Sequence, residues 1–332
     1  MITSPQHLLR RRLIQAAAAT VCTFGLAGTA LAQAPAWPAK PIRIVVGFAP
    51  GGTTDVMARV MAQSLSEALG QPVVVDNKPG ASGNIAASEV IRAAADGYTF
   101  LIAPTSFETA NPFLFKQTIA PAKDLTPVAA VGRSQMYLVV KPESTFKDAK
   151  ELVAYAKANP GKLSYTSAGA GTPPHLAGEL FKKVTGIFTT HIPYRGAAPA
   201  LQDVLANQAD YVFDPGISFS HVRAGKVRML AVAGSKRSAF FPNVPTLAEQ
   251  GIKGAELDIW FGMWAPNGTP ADVTARMTKE IAKALTLPIT RTRYEAAGAE
   301  PIGLGNAEFK SLLTSETKML SGLIKEAKIN ID

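Results

Sequence analysis

Short apolar, β-branched runs alternate along the chain with segments whose apolar positions recur every three to four residues. IRIVVG (42–47) reads as a buried strand. Over 54–69, Met57, Val60, Met61, Ser64, Leu65, Ala68 and Leu69 share one helical stripe that stops at Gly70. PVVVD (72–76) is a second strand, GNIAASEVIRAA (83–94) a second helix, and YTFLIA (98–103) a third strand after the Asp96-Gly97 turn. Strand–helix–strand–helix–strand predicts a parallel sheet with right-handed crossovers.

The alternation then restarts. MYLVVKP (136–142), LSYTS (163–167), FTTHIPY (188–194), DYVFD (210–214) and VRMLAVA (227–233) read as strands. Helical patterns at 147–161, 174–185 and 197–206 lie between the first four of them. After a Pro-rich stretch (242–254) comes the strand LDIWFGMWAP (257–266), then helices near 270–286 and 306–327. Two α/β sets with a return passage predict an α/β fold of two lobes joined by two crossings, near 133–138 and 256–262. Lobe one is then 33–134 plus 258–332, and lobe two is 135–257.

The first 32 residues break this pattern. LLRRR (8–12) is a basic start, 13–32 is apolar and rich in small residues, and Ala30-Leu31-Ala32 is an A-x-A cleavage pattern. Together they read as a secretory signal peptide. Arg10-Arg11-Arg12 leaves the Sec and twin-arginine routes both open. Removing 1–32 takes away the one cysteine, Cys22, so the mature chain has no disulfide and no Cys nucleophile or ligand. It also removes three arginines and no acid, so the net charge falls from +9 to +6. The remaining lysines and arginines are scattered rather than clustered with aromatics, which argues against nucleic acid. The expected product is a periplasmic protein that captures a small anion and is monomeric.

GFAPGGTTD (47–55) carries the first candidate chemistry. Its glycines have the spacing of a phosphate loop, but Thr53 stands where the gripping lysine belongs. What remains is a tight turn into a helix start, and unpaired N–H groups with a partial positive charge suit a carboxylate. NKPGASGNIAASE (77–89) repeats the arrangement, and SYTSAGAGTPPHLAGELF (164–181) places another in the second lobe. Between strand and helix, Tyr194 offers a hydroxyl and Arg195 a guanidinium able to pair with a carboxylate. Asp214 ends DYVFD before Pro215-Gly216 and can accept from a ligand or cap a turn. A Ser167, His175, Asp214 hydrolase set can be assembled, but no G-x-S-x-G elbow supports it. The mature histidines, His175, His191 and His221, have no metal spacing, and no cofactor fingerprint is complete, so no cofactor or metal is expected.

These residues carry a resemblance. WPAKPIRIVVGFAPGGTTDVMAR (37–59), GQPVVVDNKPGASGNIAA (70–87), DGYTFLI (96–102) and NPGKLSYTSAGAGTPPHLAGELF (159–181) are four of its landmarks. HIPYRGAAPALQDVL (191–205), VPTLAEQGI (244–252) and WFGMWAPNGTP (260–270) complete the set. In this order, they resemble the Bug (TctC-like) family of extracytoplasmic solute receptors of tripartite tricarboxylate transporters. The resemblance implies a two-lobed, type II periplasmic-binding-protein fold that closes on di- or tricarboxylates, acidic amino acids or aromatic acids. It implies membrane permease subunits as partners and no catalysis. It also implies ligand cradles at 48–55 (Phe48, Gly52, Thr53, Asp55) and 167–172 (Ser167, Thr172). Tyr194 and Asp214 stand where the ligand's far end is read, and Thr105 and Ser106, at the end of the third strand, are added to the set. Ser82 departs from the glycine common at its position. A periplasmic ligand sensor for a membrane signalling partner, or a secreted hydrolase, are the alternative functions.

Overall fold

A computed structural model describes residues 37–116, 119–327 and 329. The expected leader, with Cys22, lies outside the described residues. Lys40–Asp332 forms one compact unit built on two sheets.

The first sheet starts as the sequence pattern predicts. Strands β1 (Ile42–Val46), β2 (Val73–Asn77) and β3 (Thr99–Pro104) run parallel, with β1 in the middle. Helices α1 (Thr53–Leu69) and α2 (Asn84–Ile91) make the crossovers. Helix α1 buries Met57, Ala58, Val60, Met61 and Leu65. It ends at Gly70 (φ 67°), whose N–H donates to the Ser66 carbonyl at 3.0 Å. Glycine adopts that left-handed conformation without steric cost.

Beyond β3 the sheet is mixed. Strand β4 (Leu125–Gln135) has no counterpart among the expected elements. The antiparallel strand β10 (Asp258–Pro266) inserts between β3 and β4, and β11 (Ala299–Glu300) adds to the outer edge, giving the order β11-β4-β10-β3-β1-β2. The run LTPVAAVGRSQ neither alternates nor lacks breakers, since it contains Pro127 and Gly132. Its pairing with β10 shifts register between Phe261 and Gly262 and again between Met263 and Trp264. Such bulges let a strand hold a proline that a regular ladder would reject.

The second sheet takes β5 (Tyr137–Val140), β6 (Ser164–Ser167), β7 (Thr190–Pro193), β8 (Tyr211–Asp214) and β9 (Arg228–Val232) in the order β7-β6-β8-β5-β9. Strand β6 is parallel to β7 and β8, and β5 is antiparallel to β8 and β9. Helices α3 (Ala149–Ala158), α4 (Pro173–Thr185) and α5 (Ala197–Leu205) accompany it. Helices α6 (Ala271–Thr286), α7 (Pro288–Ala296) and α8 (Asn306–Ala327) close the chain. The first sheet's core centres on Phe107, Trp264 and Phe309, and the second's on Tyr137 and Phe219. No helix among the described residues is long and apolar enough to cross a membrane.

The chain passes from the first sheet to the second at Met136 and returns between Val232 and Asp258. Close to that passage, Gly216, just after β8, packs on Gly298, just before β11. A Cβ on Gly298 would lie 2.3 Å from the Gly216 Cα. Both glycines have positive φ, 120° and 69°. The buried Ser134 hydroxyl joins the same node through the carbonyls of Pro215 and, at 2.9 Å, Gly298. Substituting Gly298→Ala therefore adds a backbone clash to left-handed strain of roughly 1–2 kcal/mol. Urea unfolding is expected to show a loss of about 2 kcal/mol or more, whereas Gly70→Ala, with open space around it, loses only the strain.

Candidate functional site

Three helices begin at one cleft between the sheets. Helix α1 follows Gly52, α4 follows Thr172 and α5 follows Gly196, and none of the three has a side-chain cap. The first turn of any helix leaves N–H groups without an intrahelical acceptor. At α4 the loss is smaller, because Pro173 and Pro174 have no N–H to offer. At α1 the start is buried through Thr53, Thr54 and Asp55.

The inner part of the cleft is a cavity of about 30 Å³. From the first sheet's side it is lined by Phe48, Gly52, Thr53, Thr54, Ile259 and Phe261, and from the second's by Ala168, Thr172, Pro174, Ala197 and Pro215. Among the described residues no charged side chain lines it. The Thr53 hydroxyl is buried here and has no hydrogen-bond partner. An unsatisfied buried hydroxyl costs about 1–3 kcal/mol, so this one is poised to meet an acceptor.

A second cavity of about 350 Å³ lies outside the first and shares Phe48 and Ala168 with it. Tyr194, Arg195, Ser82 and Phe115 are among its walls. Here the two sides of the cleft are joined. The Ala49 N–H donates to the Arg195 carbonyl at 3.1 Å, and the Ser82 hydroxyl donates to the Ala170 carbonyl. Ser82 does so from a left-handed backbone (φ 53°, ψ 37°) that glycine would adopt more readily.

Several expected ligand residues have other tasks. The Asp55 carboxylate ties its loop to α1 and to the end of β2, accepting from the Gly51 N–H at 3.0 Å, Arg59 Nε at 3.0 Å and Asn77 Nδ2 at 2.9 Å. Burial pushes its pKa up, but these partners outweigh burial and hold it below the usual carboxylate value. Thr105 and Ser106 flank a separate gap of about 10 Å³, and the Thr105 N–H donates to the Trp260 carbonyl at 2.9 Å. Asp214 Oδ2 caps its own turn through the Gly216 N–H (2.8 Å), the Ser218 N–H (3.0 Å) and the Ser218 hydroxyl (2.7 Å). Its Oδ1 is buried without a partner, and burial raises its pKa. The Tyr194 hydroxyl donates to Asp203. Phe48, Gly52, Thr53 and Thr172 line the inner cavity, and Phe48, Tyr194 and Arg195 line the outer one.

The hydrolase set is not assembled. Ser167 pairs with Nε2 of His191, not with His175, at 2.6 Å, and the serine is fully buried. His175 Nδ1 instead accepts the Gly171 N–H at 3.0 Å, and its ring stacks on His191 with centroids 4.3 Å apart. Burial lowers the His175 pKa to about 4 and that of His191 to about 3. Two neutral imidazoles thus brace the 167–172 loop. Thr172 helps by donating its hydroxyl to the Gly169 carbonyl at 2.6 Å. Sequence reasoning missed Ala197, Ile259 and Phe261. Gly196 ahead of α5 is the signal that was present for the first.

A family model described as tripartite tricarboxylate transporter family receptor matches residues 57–329. The chain belongs to that family. It is 36% identical to Protein BugT of Bordetella pertussis over 320 residues, 95% of this chain and 97% of that one. Among solved structures, R. palustris Rpa4515 with adipate is 35% identical, with a TM-score of 0.86, covering 89% of this chain and 99% of that one. MatC (Rpa3494) from Rhodopseudomonas palustris with bound malate is 30% identical, with a TM-score of 0.82, covering 87% and 100%. The receptor therefore has the α/β, two-lobed fold of the periplasmic solute-binding proteins, as the sequence implied, and is itself a solute-binding receptor.

The histidine pair gives this receptor a pH signature. Its histidines titrate below their unfolded value of 6.5, so the unfolded chain takes up protons first as pH falls. Their contribution is complete above pH 6.5 and erodes from there toward pH 3–4. Glu108 and Glu316, raised to about 7 by burial, act oppositely: their contribution is complete below the ordinary carboxyl pKa and is lost as pH rises through 7. Substituting His191→Gln isolates one histidine. Between pH 7.5 and 4.5, chemical denaturation should show the variant losing about 2 kcal/mol less stability than the wild type.

Proposed function

We propose that this receptor is exported to the periplasm by its N-terminal 32 residues and captures a small organic carboxylate for a tripartite tricarboxylate-type permease. The lobes are 33–134 with 258–332, and 135–257, and the ligand lies between them. The observation that carries the reading is the Thr53 hydroxyl, buried and unpartnered at an uncapped helix start inside the cleft. A carboxylate supplies the missing acceptor, and hydrogen bonds to a charged acceptor contribute about 1.5–3 kcal/mol each. The adipate and malate found in two relatives are of this class.

No lysine or metal is needed for such a grip. The backbone N–H groups at the starts of α1 and α5 supply donors and a favourable dipole. Small-ligand sites usually enclose several hundred Å³. The inner cavity encloses about 30 Å³, so it receives the acid group alone, and the rest of the ligand extends into the outer cavity. Entry requires the lobes to part, and the ligand then shifts the population toward closure by its preference for the closed form. The receptor is proposed to work as a monomer.

Two measurements test this. A thermal-shift screen of mono-, di- and tricarboxylates against neutral isosteres should raise the melting temperature with acids only. Acids that give no shift at millimolar concentration would overturn the reading. Substituting Thr53→Val keeps the side chain's shape and removes the hydroxyl. Calorimetry should show affinity for the best acid falling about tenfold or more, with the unliganded melting temperature unchanged or raised. Equal affinity would remove Thr53 from the site.

A further inference from the structure

A groove of about 500 Å³ lies between the start of β10 and helix α8, and it shares no lining residue with the two cavities of the cleft. Asp258 and Trp260 stand on the strand side. Leu312, Ser315, Glu316 and Met319 are spaced to share one face of α8, and that face forms the other wall. Asp258 and Glu316 also line the gap of about 10 Å³ beside Thr105 and Ser106, a space of the size one water-sized group needs. The gap meets the wall of the inner cavity at Pro173 and Ile259.

The charge at this place is unbalanced. Glu316 is 9% exposed, and its Oε2 is buried without a hydrogen-bond partner. Asp258 Oδ1 is buried and unpartnered as well. Its Oδ2 lies 3.8 Å from Arg133, but that guanidinium makes its closer pair with Glu300, at 2.7 Å. Glu256 adds a third acid to the groove, and among the described residues no cationic side chain lines the groove or the gap. Burial raises the pKa of Asp258 and Glu300 adds to the rise, although Arg133 and Lys236 oppose it. Burial, with a smaller push from Glu108, raises Glu316 to about 7 against the pull of the Thr105 hydroxyl.

Buried carboxylate oxygens without donors are costly, and a cation that donates hydrogen bonds removes the cost. An ammonium group is small and brings three donors. Leu257, Trp260 and Met319 offer apolar surface to an alkyl stem behind it. A metal ion is a poorer match, because among the described residues no three acidic or histidine side chains come together as ligands.

We propose that this groove is a second ligand site, which takes a primary alkylamine with its ammonium group between Asp258 and Glu316 and its stem along Trp260 and Met319. The inference goes beyond the carboxylate-receptor reading and does not depend on it. The alternative, in which Arg133 and a trapped water serve the two acids, predicts no advantage for an amine over an alcohol.

The test titrates the mature receptor by calorimetry at pH 8, where Glu316 is ionised, with butylamine and with 1-butanol as its neutral match. Butylamine should bind one to one at millimolar concentration or below and about tenfold or more tightly than butanol, with affinity falling as salt rises. Substituting Glu316→Gln keeps the side chain's shape and removes the charge. It should weaken butylamine binding about tenfold, while the unliganded melting temperature stays unchanged or rises. Asp258→Asn should weaken binding in the same direction and serves as the test if the first variant misfolds. No butylamine binding by the wild type, equal binding of amine and alcohol, or unchanged affinity in the folded variants overturns the assignment. Each of these outcomes leaves acid binding in the cleft to its own screen.

Discussion

The receptor's cleft depends on a helix start that is buried before it is capped. Helix α3 shows how the same chain ends the problem elsewhere: the Asp148 carboxylate accepts the Glu151 N–H at 2.9 Å. Helix α6 also lacks a side-chain cap, but its first residues are exposed and water serves them. Helix α1 has neither remedy. Gly52 offers no side chain, and Thr53, Thr54 and Asp55 are shielded from solvent. Donors in that position are satisfied by whatever the opposite lobe, or a guest between the lobes, brings to them.

The charged and titratable groups near the cleft support this arrangement from behind. Asp55, Arg59 and Asn77 tie the 48–55 loop to the end of β2. His175, His191 and Ser167 hold the opposing loop, and Asp214 closes the turn that carries Pro215 to the cavity wall. Each would be a plausible ligand contact if only its place in the sequence were known. Pointed inward, they fix the backbone of both loops, and the ligand proposed above would meet donors that are already ordered. A cradle of fixed dipoles fits an anion without the desolvation cost of burying a paired lysine.

This division explains how far the sequence could be read. Strand and helix positions were legible because apolar periodicity records which face is buried, and most elements fall within a few residues of the expected places. Strand β4 was not, because Pro127 and Gly132 are tolerated only through bulges formed with β10, a partner more than a hundred residues away. At the site, a glycine turn between strand and helix marks a loop that reaches the cleft, which is why Thr53, Thr172, Tyr194 and Arg195 could be named, whereas Phe48 was named through the family resemblance alone. The direction of a side chain within such a loop depends on partners from other elements. Asp55 turns toward Arg59 and Asn77, and Ser167 toward His191 on the neighbouring strand. The apolar wall from β10, Ile259 and Phe261, comes from a strand whose place in the sheet no local pattern reveals.

The floor of the cleft also limits how it can open. Pro215 lines the inner cavity, and the next residue, Gly216, is packed against Gly298 with no room for a side chain on either. Ser134 binds both sides of that node from beside the chain's first passage between the sheets. Opposite it, the mouth is held by two direct bonds, Ala49 to Arg195 and Ser82 to Ala170. Breaking two hydrogen bonds at an edge costs little net free energy, because water replaces them. Separating close-packed backbone at the floor forfeits dispersion contacts that water does not restore. The glycine floor is therefore the firmer of these two contacts between the sheets and the mouth the weaker, and the uncapped start of α1 lines the cavity that Pro215 also walls.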